Sequence, residues 1–230
     1  MIAVNGIWLF SIVGIGVVSV ALLVMILLNP TLRSEKFSFL RSFPYEVVKN
    51  HDQSTSTFKV LLYILTAFAF SPLFIITPLI SEFGDLGFLS IFITAIFGLS
   101  MIANCLLFFF DAKYTKAHMI LVTTSMCLTL LANALSTLLS IIVYKTYLDM
   151  GDSHNSSLVL AIIGGLFAVG MLLLIINPRL KSWASLEAVD NGDGEKTYSR
   201  GKVFILALSE WITIALSILG ELIFLLALIK

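Results

Sequence analysis

The sequence predicts an all-α integral membrane protein: six transmembrane helices in three hairpins, with both termini on the outer, non-cytoplasmic side. Three observations carry that expectation. First, 59% of the 230 residues are hydrophobic, only 12% are charged, and the mean hydropathy is +1.03. Soluble domains carry about 25% charged residues, so this chain cannot cover its own surface in water. Second, six stretches are long and apolar enough to cross a hydrocarbon core about 30 Å thick. Third, Lys and Arg crowd onto one set of connections, the pattern of cytoplasmic loops. The net charge is zero, and no basic patch invites nucleic acid.

The first span covers residues 7–28. It has no basic n-region before it and no small-residue cleavage site after it, so it reads as a permanent helix and not as a secretory signal. Gly14 and Gly16 give it a small face for close packing. Their Gly-x-Gly spacing lacks the strand–turn–helix setting of a nucleotide site. The loop 29–59 opens with Asn29-Pro30-Thr31-Leu32-Arg33-Ser34. In it Leu32, Phe37, Leu40 and Phe43 alternate with Arg33, Ser34, Lys36 and Arg41, which suggests a short amphipathic helix in the inner interface.

Span two, residues 60–80, contains Ser71-Pro72 and Thr77-Pro78. Each proline removes a backbone donor, so Pro72 and Pro78 are expected to kink the outer half of this helix. Spans three and four, 86–110 and 119–144, carry the mid-membrane amides Asn104 and Asn133, with Ser100, Ser136 and Ser140 along the same stripes. Span five, 158–176, presents Ala161, Gly165 and Ala168 as a close-packing face. It ends Asn177-Pro178-Arg179-Leu180-Lys181-Ser182, an echo of residues 29–34. Two readings stand side by side: a proline helix stop used twice, or a duplicated hairpin. In loop 177–202, Leu180, Trp183, Leu186 and Val189 recur at three-residue spacing. Asp190–Glu195 fails as an EF-hand because Gly192 occupies the third position, where an oxygen ligand is needed.

Orientation follows from the basic residues. The loops 29–59, 111–118 and 177–202 hold 12 of the 14 Lys and Arg, leaving only Lys145 and Lys230 opposite. These three loops are therefore expected in the cytoplasm. None is long enough to fold alone, so residues 1–230 read as a single transmembrane helical domain.

The last span, 203–229, holds the residues most suggestive of chemistry, Glu210 and Glu221. Ionisable groups in hydrocarbon are costly and face the bundle interior. A spacing of eleven residues is three turns plus about 20°, which puts both on one face about 16 Å apart. With Ser209, Thr213, Ser217 and Gly220 on that stripe, they suggest a polar track for a proton, a cation or a basic substrate. Asn104 and Asn133 join them as candidate pathway residues. The bland alternative makes each a protonated acid or an amide that holds helices together.

Nothing in the sequence calls for a cofactor or a metal. Cys105 and Cys127 form no CxxC, and His51, His118 and His154 have no second ligand at helical spacing. No HExxH, GxSxG or P-loop occurs. Asn155-Ser156-Ser157 is a glycosylation sequon on the outer side. Two function classes follow. One is a small transporter or permease, or a permease subunit, moving an ion or small solute. The other is a structural or assembly subunit of a larger membrane complex. An intramembrane enzyme acting on lipid is a third reading, poorly served by a carboxylate–amide set. The expected partners are the lipid bilayer, other membrane subunits, and a cytoplasmic partner at loops 29–59 and 177–202.

Overall fold

The computed structural model describes residues 2–28, 37–49, 55–75, 85–149, 151, 155–182, 187–190, 196–199 and 203–227. Its α-helices are α1 (Ile2–Leu28), α2 (Pro44–Lys49), α3 (Thr55–Phe70), α4 (Asp85–Leu106), α5 (Thr115–Asp149), α6 (Asn155–Ile175) and α7 (Ile205–Ala227). All but the short α2 are long and apolar enough to cross a membrane. Each overlaps one of the six predicted spans. Helices are the element such sequences must form, because hydrocarbon offers backbone groups no partner outside the segment.

The differences from the expected boundaries have local causes. Helix α5 extends past both ends of 119–144. It starts beyond a turn in which the Lys113 amide donates to Asp111 Oδ1 at 3.0 Å. At the far end Gly151, at φ 76°, donates to the Leu148 carbonyl at 3.0 Å and supplies the left-handed stop. Helix α4 ends at Leu106, short of the predicted 110, and passes into turns at 107–109. Helix α3 gives way at Ser71–Ile75 to a 3-10 turn, where Pro72 sits. Pro72 deprives the Phe68 carbonyl of its i+4 donor, and Ser71 Oγ takes that place at 2.7 Å. Ser11 Oγ of α1 meets Ser71 Oγ at 2.6 Å, so this turn is tied to the neighbouring helix. Pro78 and the first Asn-Pro segment, 29–34, lie outside the described residues.

The connections hold two corrections. Residues 37–43 form turns and irregular chain instead of the amphipathic helix expected there, residues 31–36 of it lying outside the described residues, and Pro44–Lys49 is helical. After α6, Asn177 Oδ1 accepts from the Arg179 amide at 3.0 Å and a 3-10 turn covers Pro178–Ser182. This is the helix-stop use of Asn-Pro. Beyond it, β1 (Glu187–Asp190) pairs antiparallel with β2 (Lys196–Ser199), Glu187 opposite Ser199. That ribbon is the one departure from an all-α chain among the described residues. Trp183, Leu186 and the connecting residues 191–195 lie outside them.

The helices pack through small residues. A Cβ on Gly14 of α1 would run into the Phe68 ring of α3, and one on Gly98 of α4 into the Phe70 ring. Gly164 of α6 lets Thr137 of α5 approach until a Cβ there would lie 2.9 Å from Oγ1. Contact pairs give directions: α4 runs antiparallel to α5 and α7, and α5 runs parallel to α7. One buried cluster, including Trp8, Ile15, Leu62, Phe97 and Phe224, joins α1, α3, α4 and α7. A second, with Phe43, Leu107, Met126, Met171 and Phe204, closes one end of the bundle. There the connections at 37–49, 107–114 and 176–182 gather around the start of α7. Helix α6 turns most of its surface outward, with Ile162, Leu166, Val169 and Leu173 exposed.

Candidate functional site

Helices α4, α5 and α7 meet along a polar seam inside this apolar bundle. On α7, Ser209, Glu210, Thr213, Ser217, Gly220 and Glu221 are all buried. Ser100 and Asn104 of α4 and Ser125, Thr129, Asn133, Ser136 and Ser140 of α5 are buried as well. So much buried polarity on three adjoining helices requires partners, because each unmade hydrogen bond in a dry interior costs about 1–3 kcal/mol.

Glu210 finds its partner at the mouth of the seam. His118 Nε2 lies 2.9 Å from Glu210 Oε1, and both side chains are 0% exposed. His118 Nδ1 lies 3.0 Å from the Phe110 carbonyl oxygen. A carbonyl only accepts, so Nδ1 carries a proton and donates it there. The remaining contact, Nε2 to Oε1, then holds one proton, on the imidazole or on the carboxyl. Either placement makes the pair neutral overall, the state that a dry site favours. Glu210 Oε2 has no hydrogen-bond partner among the described residues.

Local sequence builds this pairing. The short link between α4 and α5 turns back on itself, the Phe110 amide donating to Leu106 O at 3.1 Å and the His118 amide to Tyr114 O at 3.0 Å. This presents the Phe110 carbonyl to a histidine on the first turn of α5. Glu210 stands on the second turn of α7. Residues 38–46 form a cover fastened to α7 and to the residue before it: the Phe204 amide donates to Leu40 O at 2.7 Å, and Trp211 Nε1 to Ser42 O at 2.7 Å. From that cover, Phe43 and Tyr45 set their rings edge-on to the imidazole at centroid distances of 5.6 and 5.9 Å. Phe204 packs against Phe43 at 5.4 Å. The mouth is sealed by aromatic rings.

Deeper in the seam the hydroxyls and amides link the three helices. Ser125 Oγ of α5 donates to Asn104 Oδ1 of α4. Ser100 Oγ lies 2.7 Å from Thr129 Oγ1 and 3.0 Å from Ser217 Oγ, joining α4, α5 and α7 at one point. Asn133 Nδ2 donates to the carbonyls of Thr129, at 2.8 Å, and Leu216, at 3.4 Å. Its Oδ1 rests against Gly220, where any Cβ would collide with it. Neither Asn133 Oδ1 nor either oxygen of Glu221 has a hydrogen-bond partner among the described residues.

The four candidate pathway residues therefore do not form one constellation. Glu210 pairs with His118, Asn104 with Ser125, and Asn133 with α7 backbone, while Glu221, farther along α7, has no hydrogen-bond partner among the described residues. Neither amide partners Glu210. Pro72 contributes no free carbonyl, because Ser71 occupies the one it exposes. Sequence reasoning missed His118 by looking for ligands at helical spacing on one span. Its partner is 92 residues away on another helix. A depth argument would have found it, since both residues lie near the start of helices that begin at the same end. Among the described residues, no group of three or more His, Cys, Asp or Glu side chains stands close enough to hold a metal ion.

Comparison with protein families, curated proteins and solved structures yields no match to this chain.

Proposed function

We propose that this chain is a small membrane transporter or permease moving an ion or small solute, with the seam between α4, α5 and α7 as its pathway. The His118–Glu210 pair takes up and releases the coupled proton at the mouth of that seam. The observation that carries this reading is the pair itself. A buried imidazole and a buried carboxyl hold one proton between them under an aromatic cover, where a purely structural contact would be served as well by apolar side chains. In this reading the end bearing Arg41, Lys113 and Arg179 faces the cytoplasm, as the distribution of basic residues favours. Opening requires the cover at 38–46 to shift from Phe204 and Trp211, giving Glu210 access to water.

The test is proton movement in vesicles containing the purified chain and a pH-reporting dye. Glu210→Gln keeps a hydrogen-bond donor for His118 Nε2 and removes the titrating proton. It is expected to fold at normal abundance and to reduce flux to the level of empty vesicles. Unchanged flux would remove Glu210 from the mechanism. No flux in the wild-type chain, together with stoichiometric recovery of other membrane proteins on mild purification, would transfer the chain to the class of non-catalytic subunits.

A further inference from the structure

One turn beyond the point where Ser100, Thr129 and Ser217 join three helices, the seam holds oxygen atoms and nothing that satisfies them. Helices α5 and α7 run parallel there, with Asn133 Nδ2 bonded to the Leu216 carbonyl and Asn133 Oδ1 against Gly220. Asn133 and Glu221 stand four residues after Thr129 and Ser217, so each lies about 6 Å farther along its helix in the same direction. Ser136 comes seven residues after Thr129, two turns less about 20°, and keeps the side of α5 that meets α4. Past this layer Phe97 of α4 stacks on Phe224 of α7 at a centroid distance of 5.8 Å and closes the seam.

Asn133, Ser136 and Glu221 are 0%, 1% and 1% exposed. Asn133 Oδ1, Ser136 Oγ and both carboxyl oxygens of Glu221 have no hydrogen-bond partner among the described residues. A proton on Glu221 would remove the charge without removing the shortage. The carboxyl would then carry a donor with no acceptor in reach among those residues, and the Asn133 oxygen would stay unmet.

A hard cation meets several oxygens at once. Held about 2.3–2.6 Å from oxygen, as calcium is, an ion needs less room than a water at about 2.8 Å, so the layer can be closed to water and still admit it. The donor set is one carboxylate with neutral oxygens. A single positive charge balances it, whereas a divalent ion would leave net charge in a dry interior. Such tight enclosure favours sodium over the larger potassium.

We infer that Asn133, Ser136 and Glu221 form a site for a dehydrated sodium ion, Glu221 supplying the countercharge and the other two neutral oxygens. The inference deepens the transport reading by naming its ion, and rests on that reading for movement but not for binding.

The experiment therefore reads binding without flux. The purified full chain in mild detergent is equilibrated with radioactive sodium, and its thermal unfolding is followed in sodium, potassium and choline chloride at equal ionic strength. Saturable binding of one ion per chain is expected, with the unfolding temperature raised by sodium more than by potassium and not by choline. Glu221→Gln keeps the side chain's size and should abolish both effects. Ser136→Ala, a smaller change that keeps the test alive if Glu221→Gln fails to fold, should weaken binding about tenfold. A folded wild-type chain without saturable sodium binding would overturn the site, as would binding unchanged in both variants. Equal stabilisation by potassium would overturn the choice of sodium. Proton flux from a chain that binds no sodium would sink this site and leave the transport reading standing. Sodium bound by a chain that moves no protons would keep the site and remove that reading.

Discussion

At the scale of single residues the decisive contact is His118 with Glu210. Its chemistry sets a quantitative expectation. Because the pair holds one proton, replacing His118 by Leu leaves the proton on Glu210 and creates a neutral, unpaired acid. The cost should fall at about 1–3 kcal/mol, the range for an unmade buried hydrogen bond. A stranded charge would cost about 3–5 kcal/mol. Equilibrium unfolding in mixed micelles measures this, and the double variant His118→Leu/Glu210→Leu should recover most of the loss. A single-variant loss above about 4 kcal/mol would mean that Glu210 stays ionised, contrary to the one-proton account. Glu210 itself was legible in the sequence as a candidate, since an ionisable group within an apolar span is costly and turns to the bundle interior. His118 was not, because a histidine at a span edge looks interfacial until the neighbouring helix is in place.

At the scale of elements, glycine and proline decide how the helices meet. The Asn133 amide is fixed by two donated bonds and cannot swing away from Gly220. Gly220→Ala should therefore force α5 and α7 apart and cost about 1–3 kcal/mol. In an Asn133→Ala background the same change should cost much less, because the colliding oxygen is gone. Equal costs in both backgrounds would show that α7 does not lean on that amide. The 3-10 turn after α3 supports a similar cycle. Ser71→Ala strands the Phe68 carbonyl and should cost about 1 kcal/mol. With Pro72→Ala restoring a backbone donor, that cost should largely vanish. Pro72 was readable as a place where the helical ladder loses a donor, but which group would satisfy the freed carbonyl was not. Ser71 precedes Pro72 in the sequence without announcing its rotamer.

At the scale of the whole molecule, sidedness is the property that organises the rest. The three connections rich in Lys and Arg meet at one end of the bundle, around Phe43, Leu180 and Phe204. With the proposed cytoplasmic placing of that end, a membrane-impermeant thiol reagent on intact cells should miss a cysteine at Lys113 and label one at Asp149, both exposed positions at opposite ends of α5 and its approach. Labelling of Lys113→Cys from outside would invert the orientation and put the mouth of the seam on the other face. The two native cysteines do not interfere with the comparison if the wild-type chain is taken as its blank.

The sequence alone determined the six helices long and apolar enough to cross a membrane that stand among the described residues, roughly where each begins and ends, and which of them carries buried carboxyls. Hydrocarbon leaves the backbone helices or closed barrels, and continuous apolar runs of about 20 residues fit the helix and not the barrel's alternating pattern. Only the tertiary structure decided what those carboxyls meet. Apolar helices present lipid and neighbours with nearly the same surface, so side-chain pattern barely specifies which helix packs where. Close approach at a few glycines and a handful of hydrogen bonds settle it. Through that packing, Glu210 acquires His118, Asn104 acquires Ser125, and Glu221 is left without a partner among the described residues.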